Sequence, residues 1–388
     1  MAARSYVEIS RPWKAVASVN SGVPLRFYRR LIGQSLRYGM PARRFGAPAA
    51  YGLRKGASPL VTRLLTGGVN RCTRPDLDEL LDRLMSEWAG LRDRLHTLPE
   101  EVGFPTLLAL ERSAATTVFV FGDSNDPLLV CKIGGGNKTV PANEAAVLES
   151  IDGLGLAPRF LGQFGSAFVQ EAVHADPLLV DPVTPERAAR LQFSSSHRSL
   201  ALGLVRLASA CRRAEPADEL APVHAALNQE GLSARTRASV RAALAEVSRW
   251  GVSALRHGDT SPQNCLFKGD SLMALVDWEL AKWNGIPGFD LYNAAVAYVE
   301  QGVGLIRWSE DRAVEALLRA IEGAPFFAGI RSYAGDCLEA AGIPSRILDS
   351  VEIVFFARRL GRRMTNQSLS YATGPSASAR ILERVCAL

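Results

Sequence analysis

The sequence is short of the residues that build metal centres and disulfide frameworks. Its 388 residues include only six cysteines and five histidines, and the cysteines are scattered without a CxxC pair. This pattern argues against a zinc site and predicts reduced thiols, as in cytosolic proteins. The chain also lacks an apolar run of about 18 residues, the length that a membrane-spanning helix requires. Its first residues lack the apolar core and cleavage pattern of a signal peptide, so we expect a cytoplasmic protein.

The overall composition is that of an ordinary globular protein. Hydrophobic residues make up 47% of the chain and charged residues 22%. No low-complexity tract interrupts the sequence, which excludes disorder as the general state of the chain. A chain of this length can bury two or three separate cores.

Positive charge is concentrated in the N-terminal segment. Residues 1–71 contain thirteen lysines and arginines and a single acid, Glu8, whereas the whole chain has a net charge of +6. Such a segment, interleaved with aromatic residues, can rest on an anionic membrane surface or hold an anionic substrate. It can equally be a solvated, partly disordered extension. No nucleic-acid-binding module accompanies the charge, so nucleic acid is not an expected partner.

The hydrophobic pattern changes period along the chain. Leucines at helical spacing from Leu77 to Leu95 predict a helix. Three β-rich stretches from residue 105 and two strands around a Gly165-Ser166 turn predict a small antiparallel sheet. Between them, the pattern predicts a helix that is ended by Gly153 and Gly155. Mainly helical patterns follow, interrupted by strand signals at 264–278. We predict an α+β fold with three parts: a basic N-terminal extension (1–75), a sheet lobe with a leading helix (76–172) and a larger helical lobe (173–388).

Lys132 and Glu144 form the first candidate pair. Lys132 ends the third predicted strand, and Glu144 lies on the helix predicted to follow it. A lysine held by a carboxylate in this way is a fixed cation that can bind phosphate oxygens. The competing interpretation is a solvated lysine on a strand edge.

A second cluster of polar residues lies in RHGDTSPQNCLF, residues 256–267, and in the VDWE segment that follows. Asp259 and Asn264 are five residues apart, the spacing at which a catalytic loop aims a carboxylate at a hydroxyl nucleophile and an amide oxygen at Mg²⁺. The segment after Asn264 has the length of a two-stranded hairpin, which would return Asp277 to Asn264. Two oxygen ligands beside nucleotide phosphates suit Mg²⁺. In the competing interpretation, these side chains only cap turns and end a strand.

This cluster resembles the signature of the aminoglycoside phosphotransferase and choline kinase-like family. That family has H-G-D-x-x-x-x-N, then a strand and [I/V]-D-[W/F]-E; this chain has His257-Gly258-Asp259 to Asn264, and Val276-Asp277-Trp278-Glu279. The later Asp-Leu of the family is matched by Asp290-Leu291. The likeness covers roughly residues 105–300 and implies a protein-kinase-like two-lobe fold that uses ATP and Mg²⁺.

The resemblance implies a role for each candidate residue. Asp259 is the catalytic base or the carboxylate that orients the hydroxyl, and Asn264 and Asp277 hold Mg²⁺. Lys132 binds the α- and β-phosphates, with Glu144 as its partner. The remaining implied residues cover the phosphates (Ser113, Thr116), form the hinge that meets adenine (Gln170, Glu171, Val173) or support the catalytic loop (His257, Glu279, Asp290).

Some features depart from the family pattern. The phosphate loop lacks G-x-G-x-x-G, and Lys138 competes with Lys132 as the phosphate lysine. The basic N-terminal extension has no counterpart in the resistance enzymes. His257 has two interpretations, a general base or, as this fold favours, a structural hydrogen-bonding residue.

The resulting hypothesis is an ATP- and Mg²⁺-dependent phosphotransferase that acts on a hydroxyl of a small molecule. The leading acceptor is a sugar, or a lipid-linked or polysaccharide intermediate, with peripheral membrane contact through residues 1–71. An aminoglycoside or other antibiotic kinase is the alternative within this class. A nucleotide-binding pseudokinase scaffold is the alternative from another class, and the intact set of Lys132, Asp259, Asn264 and Asp277 argues against it.

Overall fold

An antiparallel sheet dominates the first part of the chain, and helices dominate the second. The chain divides into two compact units, Met1–His174 and Ala175–Leu388. Most of the predicted basic extension, and with it the predicted membrane contact, lies outside the residues that the structure describes. The computed structural model describes residues 6–9, 15–18, 69–72, 75–100, 106–111, 115–122, 126–134, 139–165, 167–217, 219–229, 231–304, 309–364 and 375–388.

The first unit contains an eight-stranded sheet in which neighbouring strands are antiparallel. The strand order is β3-β1-β2-β4-β5-β6-β8-β7. The strands predicted from residue 105 onward, and the pair around the Gly165 turn, are confirmed as the last five of these strands. The eight strands are β1 (Tyr6–Ile9), β2 (Ala15–Ser18), β3 (Val69–Cys72), β4 (Thr106–Glu111), β5 (Ala115–Phe121), β6 (Pro127–Gly134), β7 (Phe160–Phe164) and β8 (Ala167–Glu171).

Two helices pack against the sheet, α1 (Pro75–Ser86) and α2 (Trp88–Arg94), and a third, α3 (Thr139–Ser150), follows β6. The predicted leucine stripe is buried as expected, although Glu87 interrupts the single helix that the spacing predicted. Each buried leucine contributes roughly 1.5–3 kcal/mol relative to exposure. Cys131 and Ile133 of β6 belong to this core. Because side chains alternate along a strand, Lys132 lies on the opposite face of β6.

The second unit is mainly helical, and the predicted α+β class is confirmed. Among the described residues, no helix is both long and apolar enough to cross a membrane. The helices are α4 (Pro185–Ala188), α5 (Ser195–Ala210), α6 (Ala221–Leu227), α7 (Ala234–Ser248), α8 (Phe289–Gly304), α9 (Glu310–Gly323), α10 (Pro325–Ala340), α11 (Leu348–Met364) and α12 (Pro375–Val385). Two three-stranded sheets, ordered β10-β11-β14 and β13-β12-β9, are formed by β9 (Asp176–Pro177), β10 (Arg212–Arg213), β11 (Ser253–Arg256), β12 (Cys265–Lys268), β13 (Ser271–Leu275) and β14 (Lys282–Gly285).

Candidate active site

In the first unit, Lys132 and Glu144 form a buried ion pair between β6 and α3. The Lys132 Nζ lies 2.8 Å from Oε1 and 2.7 Å from Oε2 of Glu144, and the two residues are only 6% and 1% exposed. β6 is an interior strand, paired with β5 and β8. Lys132 is therefore not a solvated edge lysine. A buried charge is retained only where a partner compensates its desolvation, so Glu144 holds the ammonium group in one place.

The residues predicted to contact the rest of a nucleotide lie on neighbouring strands of the same sheet. Thr116 on β5 is half-buried and opposite Ile133 of β6. Gln170 on β8 is buried, and the Glu171 N–H donates to the Arg159 carbonyl at 2.9 Å.

Three further candidates complete the description of the first unit. Val173 is half-buried and follows β8 one residue before the first unit ends at His174. Ser113 and the competing Lys138 lie outside the described residues, so their predicted contacts with phosphate stay predictions. The first unit thus brings Lys132 and Glu144 together, and places Thr116 and Gln170 on the strands that flank β6.

In the second unit, the catalytic-loop candidates are brought together by one short segment. Asn264 ends a 3₁₀ helix, Pro262–Asn264, between β11 and β12. Its Nδ2 donates to the Asp259 carbonyl oxygen and to Asp259 Oδ2, both at 3.0 Å. Because the amide nitrogen faces Asp259, the amide oxygen of Asn264 is the atom with the chemistry to bind a hard cation.

The predicted hairpin is present as β12 and β13. It ends where the Val276 N–H donates to the Asn264 carbonyl at 2.9 Å, which places Asp277 next to the loop. Asp277 has φ of 70°, and it is the only non-glycine residue with positive φ among the described residues. Such a backbone costs free energy and is common where a side chain must be aimed. Glu279 follows in a 3₁₀ helix, Trp278–Leu280, and is half-buried.

Asp290, at the start of α8, braces the loop that contains Asp259 through its carboxylate. Oδ2 accepts from the His257 N–H at 2.7 Å, and Oδ1 accepts from the Gly258 N–H at 3.1 Å. The Thr260 hydroxyl donates to the Asp290 carbonyl at 2.5 Å. The helix thereby fixes the loop on both sides of Asp259.

His257 is held as a structural residue rather than as a base. Its Nε2 lies 3.0 Å from the Val276 carbonyl, and its Nδ1 lies 3.3 Å from the Asp259 N–H. A carbonyl accepts and an N–H donates, so these contacts assign the neutral tautomer with the proton on Nε2. Burial lowers the pKa of His257, against the opposing influence of Asp290, Asp259 and Asp277. The neutral ring ties the loop to the end of the hairpin.

Sequence reasoning missed a buried ion network beneath the loop. Arg256 Nη1 lies 2.6 Å from Glu219, and Arg256 Nη2 lies 3.1 Å from Asp290. Glu219 also pairs with Arg358 Nη2 of α11 at 2.7 Å and accepts from the Ile286 N–H at 3.0 Å. Burial disfavours the Arg256 cation, but Glu219 and Asp290 more than offset it and raise the pKa of Arg256. The sequence carried one sign of this network: Arg256 lies directly before the H-G-D motif and after the apolar residues Ala254 and Leu255.

Gly258 gives a test of the loop's packing. Its φ is +86°, and a Cβ at this position would lie 2.1 Å from the Leu280 carbonyl oxygen. We expect Gly258→Ala to lower the free energy of unfolding by roughly 1–3 kcal/mol and to displace Asp259, because overpacking against backbone cannot relax through a side chain. The measurement is urea denaturation, with ADP release as the second readout.

The matched control for this change is Gly269→Ala in the hairpin turn. Gly269 also has positive φ, +59°, but a Cβ there would have no neighbour within 4 Å. It therefore carries the backbone cost without the clash. If the two variants lost the same stability and activity, close packing at Gly258 would not be the cause.

Comparison with known proteins identifies the family. The model of the phosphotransferase enzyme family matches residues 50–333, more than half of the chain. No curated protein sequence matches the chain at a significant level.

Several solved structures of phosphotransferases are similar to the chain at low identity. A macrolide 2′-phosphotransferase from Brachybacterium faecium shares 17% identity over 80% of this chain and 98% of that chain, with a TM-score of 0.37. A choline/ethanolamine kinase family protein from Mesorhizobium loti shares 17% identity over 78% and 94%, with a TM-score of 0.34. A choline kinase from Cryptosporidium parvum shares 9% identity over 78% and 94%, with a TM-score of 0.40. Likeness at this level carries no information about the acceptor.

The family match bears directly on the predicted resemblance. It covers the Lys132–Glu144 pair and the whole of the 256–290 region, so the resemblance and the predicted enzyme class, a phosphotransferase that acts on an alcohol group, are confirmed. The roles of the individual residues are not part of that match and stay predictions. By its sequence over residues 50–333, the chain belongs to the phosphotransferase enzyme family.

Proposed function

We propose that this protein transfers the γ-phosphoryl group of ATP to a hydroxyl of a small molecule, with Mg²⁺ as the cofactor. The observation that carries the proposal is the contact between Asp259 and Asn264 at the point where the hairpin returns Asp277. In this proposal, the loop supplies the carboxylate that accepts the proton, and the loop and the end of the hairpin supply one oxygen ligand each. Phosphoryl transfer needs mainly such positioning and the neutralisation of charge.

Each side chain has a proposed task. Asp259 orients the acceptor hydroxyl and accepts its proton, while Asn264 Nδ2 holds the carboxylate at a fixed angle. Lys132, kept in place by Glu144, binds the α- and β-phosphates. Hydrogen bonds from the loop to Asp290 and His257 maintain these positions, so little reorganisation accompanies the reaction.

The Mg²⁺ site is proposed from the chemistry of its donors. The Asn264 amide oxygen and the Asp277 carboxylate are hard oxygen ligands, and Mg²⁺ typically takes one or two protein ligands beside nucleotide phosphates and water. Glu279, two residues after Asp277, is a further carboxylate within the same segment. When bound, the ion neutralises charge on the transferring phosphoryl group.

Contacts with the remainder of the nucleotide are also part of the proposal. Ser113 and Thr116 would cover the phosphates, and the segment Gln170, Glu171 and Val173 would meet adenine through its backbone. β8 is suited to this task because its backbone is extended and it ends three residues before the end of the first unit.

For the acceptor, we propose a sugar or a lipid-linked or polysaccharide intermediate in the cytoplasm, with membrane contact through residues 1–71. The basic and aromatic composition of that segment supports this choice. Trp278 does not contribute a stacking surface for a sugar, because it is fully buried with its ring centroid 4.5 Å from that of His257.

The test is Mg²⁺-dependent release of ADP from ATP by the full chain, with and without sugars, sugar-lipids and aminoglycosides. Asp259→Asn preserves the size and the Asn264 contact but removes the carboxylate that accepts the proton. We expect it to lower acceptor-stimulated kcat by about 10²–10⁴-fold, the usual contribution of a general base. ATP affinity should stay within twofold of the wild type. Tight ATP binding without ADP release above that of Asp259→Asn, for every acceptor, would instead support the pseudokinase scaffold.

A further inference from the structure

The second unit contains an apolar cavity beside the segment that carries Glu219. Its volume is about 200 Å³. Its walls come from the segment before α6, the end of α7, the residues before α8, and α10 and α11. Apolar side chains line it, among them Leu220, Trp250, Ile286, Leu338, Ile347 and Val351. The described residues of these walls include none of the candidates for binding ATP, Mg²⁺ or the acceptor, so the cavity belongs to no site assigned above.

The size and polarity of the cavity define what can fill it. Ile286, Leu338, Ile347 and Val351 are at most 3% exposed. Apolar cavities in proteins stay dry, and one of about 150 Å³ binds benzene. In proportion to its volume, this cavity takes an apolar group of about eight carbons. Such a group is shorter than the tail of a bilayer lipid, which spans a hydrocarbon layer of about 15 Å in each leaflet. The fitting occupant is therefore a small soluble molecule.

A cation lies at the rim of the cavity, where the lining residues become exposed. Ser248 is exposed and Trp250 is half-buried. Arg346 is exposed and directly precedes Ile347 in a 3₁₀ helix, Ser345–Ile347. Its guanidinium carbon lies 5.8 Å from the centroid of the Trp250 ring. The side of the cavity that faces solvent thus carries positive charge above an aromatic wall.

An apolar body with one anionic end matches both features of the cavity. A guanidinium group binds a carboxylate or a phosphate through charge-assisted hydrogen bonds. Because Arg346 is exposed, solvent screens its attraction, and the charge adds only a modest preference. Most of the binding free energy is then expected from the apolar body, and the charge selects among molecules of the same size.

The cavity is connected to the ion network beneath the catalytic loop. Leu220 directly follows Glu219, and the Ile286 N–H donates to the Glu219 carboxylate at 3.0 Å. Both Leu220 and Ile286 line the cavity. A molecule that packs against them favours the arrangement in which Glu219 holds Arg256, because a ligand stabilises the state that it binds.

We propose that this cavity is a second ligand site, which binds a small soluble amphiphile with an apolar body of about eight carbons and an anionic end, such as octanoate. The apolar body fills the cavity, and the anionic end lies beside Arg346. By packing against Leu220 and Ile286, the bound molecule stabilises Glu219 and the ionic support of the loop. This site goes beyond the proposed phosphotransferase function and does not depend on it.

The test is a series of chain lengths and charges, measured by isothermal titration calorimetry on the full chain without ATP or Mg²⁺. Butanoate, hexanoate, octanoate and dodecanoate vary the apolar body, and octanol and octylamine vary the charge at one length. Val351→Phe fills part of the cavity, and Arg346→Gln removes the charge at the rim. The matched controls are Met273→Phe, at a position of β13 that is 43% exposed, and Arg319→Gln, in an exposed ion pair on α9. Thermal denaturation of each variant reports folding.

We expect affinity to rise about fourfold for each CH₂ added up to octanoate, as for full burial of each group. The gain from octanoate to dodecanoate should be less than about fourfold in total, because the cavity is then full. Octanoate should bind about threefold to tenfold more tightly than octanol or octylamine at low salt.

The variants should separate the two parts of the site. Val351→Phe should lower octanoate affinity at least about tenfold without lowering Tm, since a side chain that fills a cavity is often stabilising. Arg346→Gln should remove only the preference for octanoate over octanol, and both controls should stay within about twofold of the wild type. Saturating octanoate should slow hydrogen exchange of the Ile286 amide at least about tenfold, which locates the site.

Several results would overturn the inference. One is a wild type that binds no member of the series, and another is affinity that keeps rising about fourfold per CH₂ from octanoate to dodecanoate, which indicates adsorption without a defined volume. Unchanged octanoate affinity in a folded Val351→Phe variant would also count against the cavity. If that variant does not fold, the chain-length series and Arg346→Gln decide. Octanoate that binds no more tightly than octanol would overturn the anionic end. A failure of the proposed function would appear in ADP release, which this experiment does not use.

Discussion

Replacing Asp277 by alanine is expected to lower kcat for ADP release by at least about 10³-fold, while the chain remains folded. In the proposed site, Asp277 supplies the only charged ligand among the two proposed for Mg²⁺, and a bound metal ion contributes several kcal/mol of charge stabilisation in the transition state. Every 1.36 kcal/mol lost is a tenfold loss of rate. The backbone at position 277 has φ of 70°, a conformation that alanine disfavours. We therefore expect the backbone around position 277 to relax locally when the ligand is lost.

The measurement is kcat as a function of Mg²⁺ concentration for the wild type, Asp277→Ala and Asp270→Ala. Asp270 is the matched control because it is an acid in the turn of the preceding hairpin, where its carboxylate accepts from the Ser196 hydroxyl at 2.6 Å. Asp270→Ala should keep the wild-type Mg²⁺ dependence. An Asp277→Ala variant that retained full activity at saturating Mg²⁺ would contradict the role proposed for this carboxylate.

Replacing Glu219 by glutamine is expected to have the largest effect on stability, a loss of roughly 3–5 kcal/mol in the free energy of unfolding. Glu219 forms ion pairs with Arg256 at 2.6 Å and with Arg358 at 2.7 Å, and the three side chains are between 3% and 11% exposed. Without the carboxylate, two buried guanidinium groups lose their shared counter-charge. Arg358 is the more sensitive partner, because burial already lowers its pKa to about 10.

Urea denaturation of the wild type and two variants gives the comparison. Glu315→Gln removes the acid of an exposed pair with Arg319 at a similar distance, 2.7 Å, and should cost only about 0.3–0.5 kcal/mol. Glu219→Gln should also lower kcat. Arg256, which pairs with Glu219, also pairs with Asp290, and Asp290 accepts hydrogen bonds from the loop. A Glu219→Gln variant within 1 kcal/mol of the control would show that the network is not a significant source of stability.

The parts of the site that could be predicted from sequence are those made by neighbours in the chain. The spacing of Asp259 and Asn264, and the length of the hairpin, fix contacts over fewer than twenty residues, and the structure shows both. The short β-rich stretch that became β6 also predicted that Lys132 lies on a strand. The burial of Lys132 could not be predicted in the same way. It depends on β5 and β8 lying on either side of β6, and only the complete sheet determines that order.

The ion network could not be predicted because its residues are distant in sequence and come into contact only in the folded chain. Glu219 follows a short segment without a strong pattern, and Arg358 lies on an amphipathic helix on which a charged residue usually faces solvent. Only the position of Arg256, between a buried strand and the H-G-D motif, carried information. Its partners depend on how α8 and α11 pack around it.

The same network has a consequence for how the protein comes to be active. Glu219, Arg256, Asp290 and Arg358 belong to four segments that are distant from one another in sequence, and closing such long-range contacts is slow relative to forming local helices and hairpins. During synthesis, the H-G-D motif and its hairpin can form well before α11 has been made. We expect the loop to be held firmly only after Arg358 has been synthesised, because Arg358 and Arg256 share Glu219. We therefore expect a chain released before that point to carry the complete signature motif on a loop that lacks part of its ionic support.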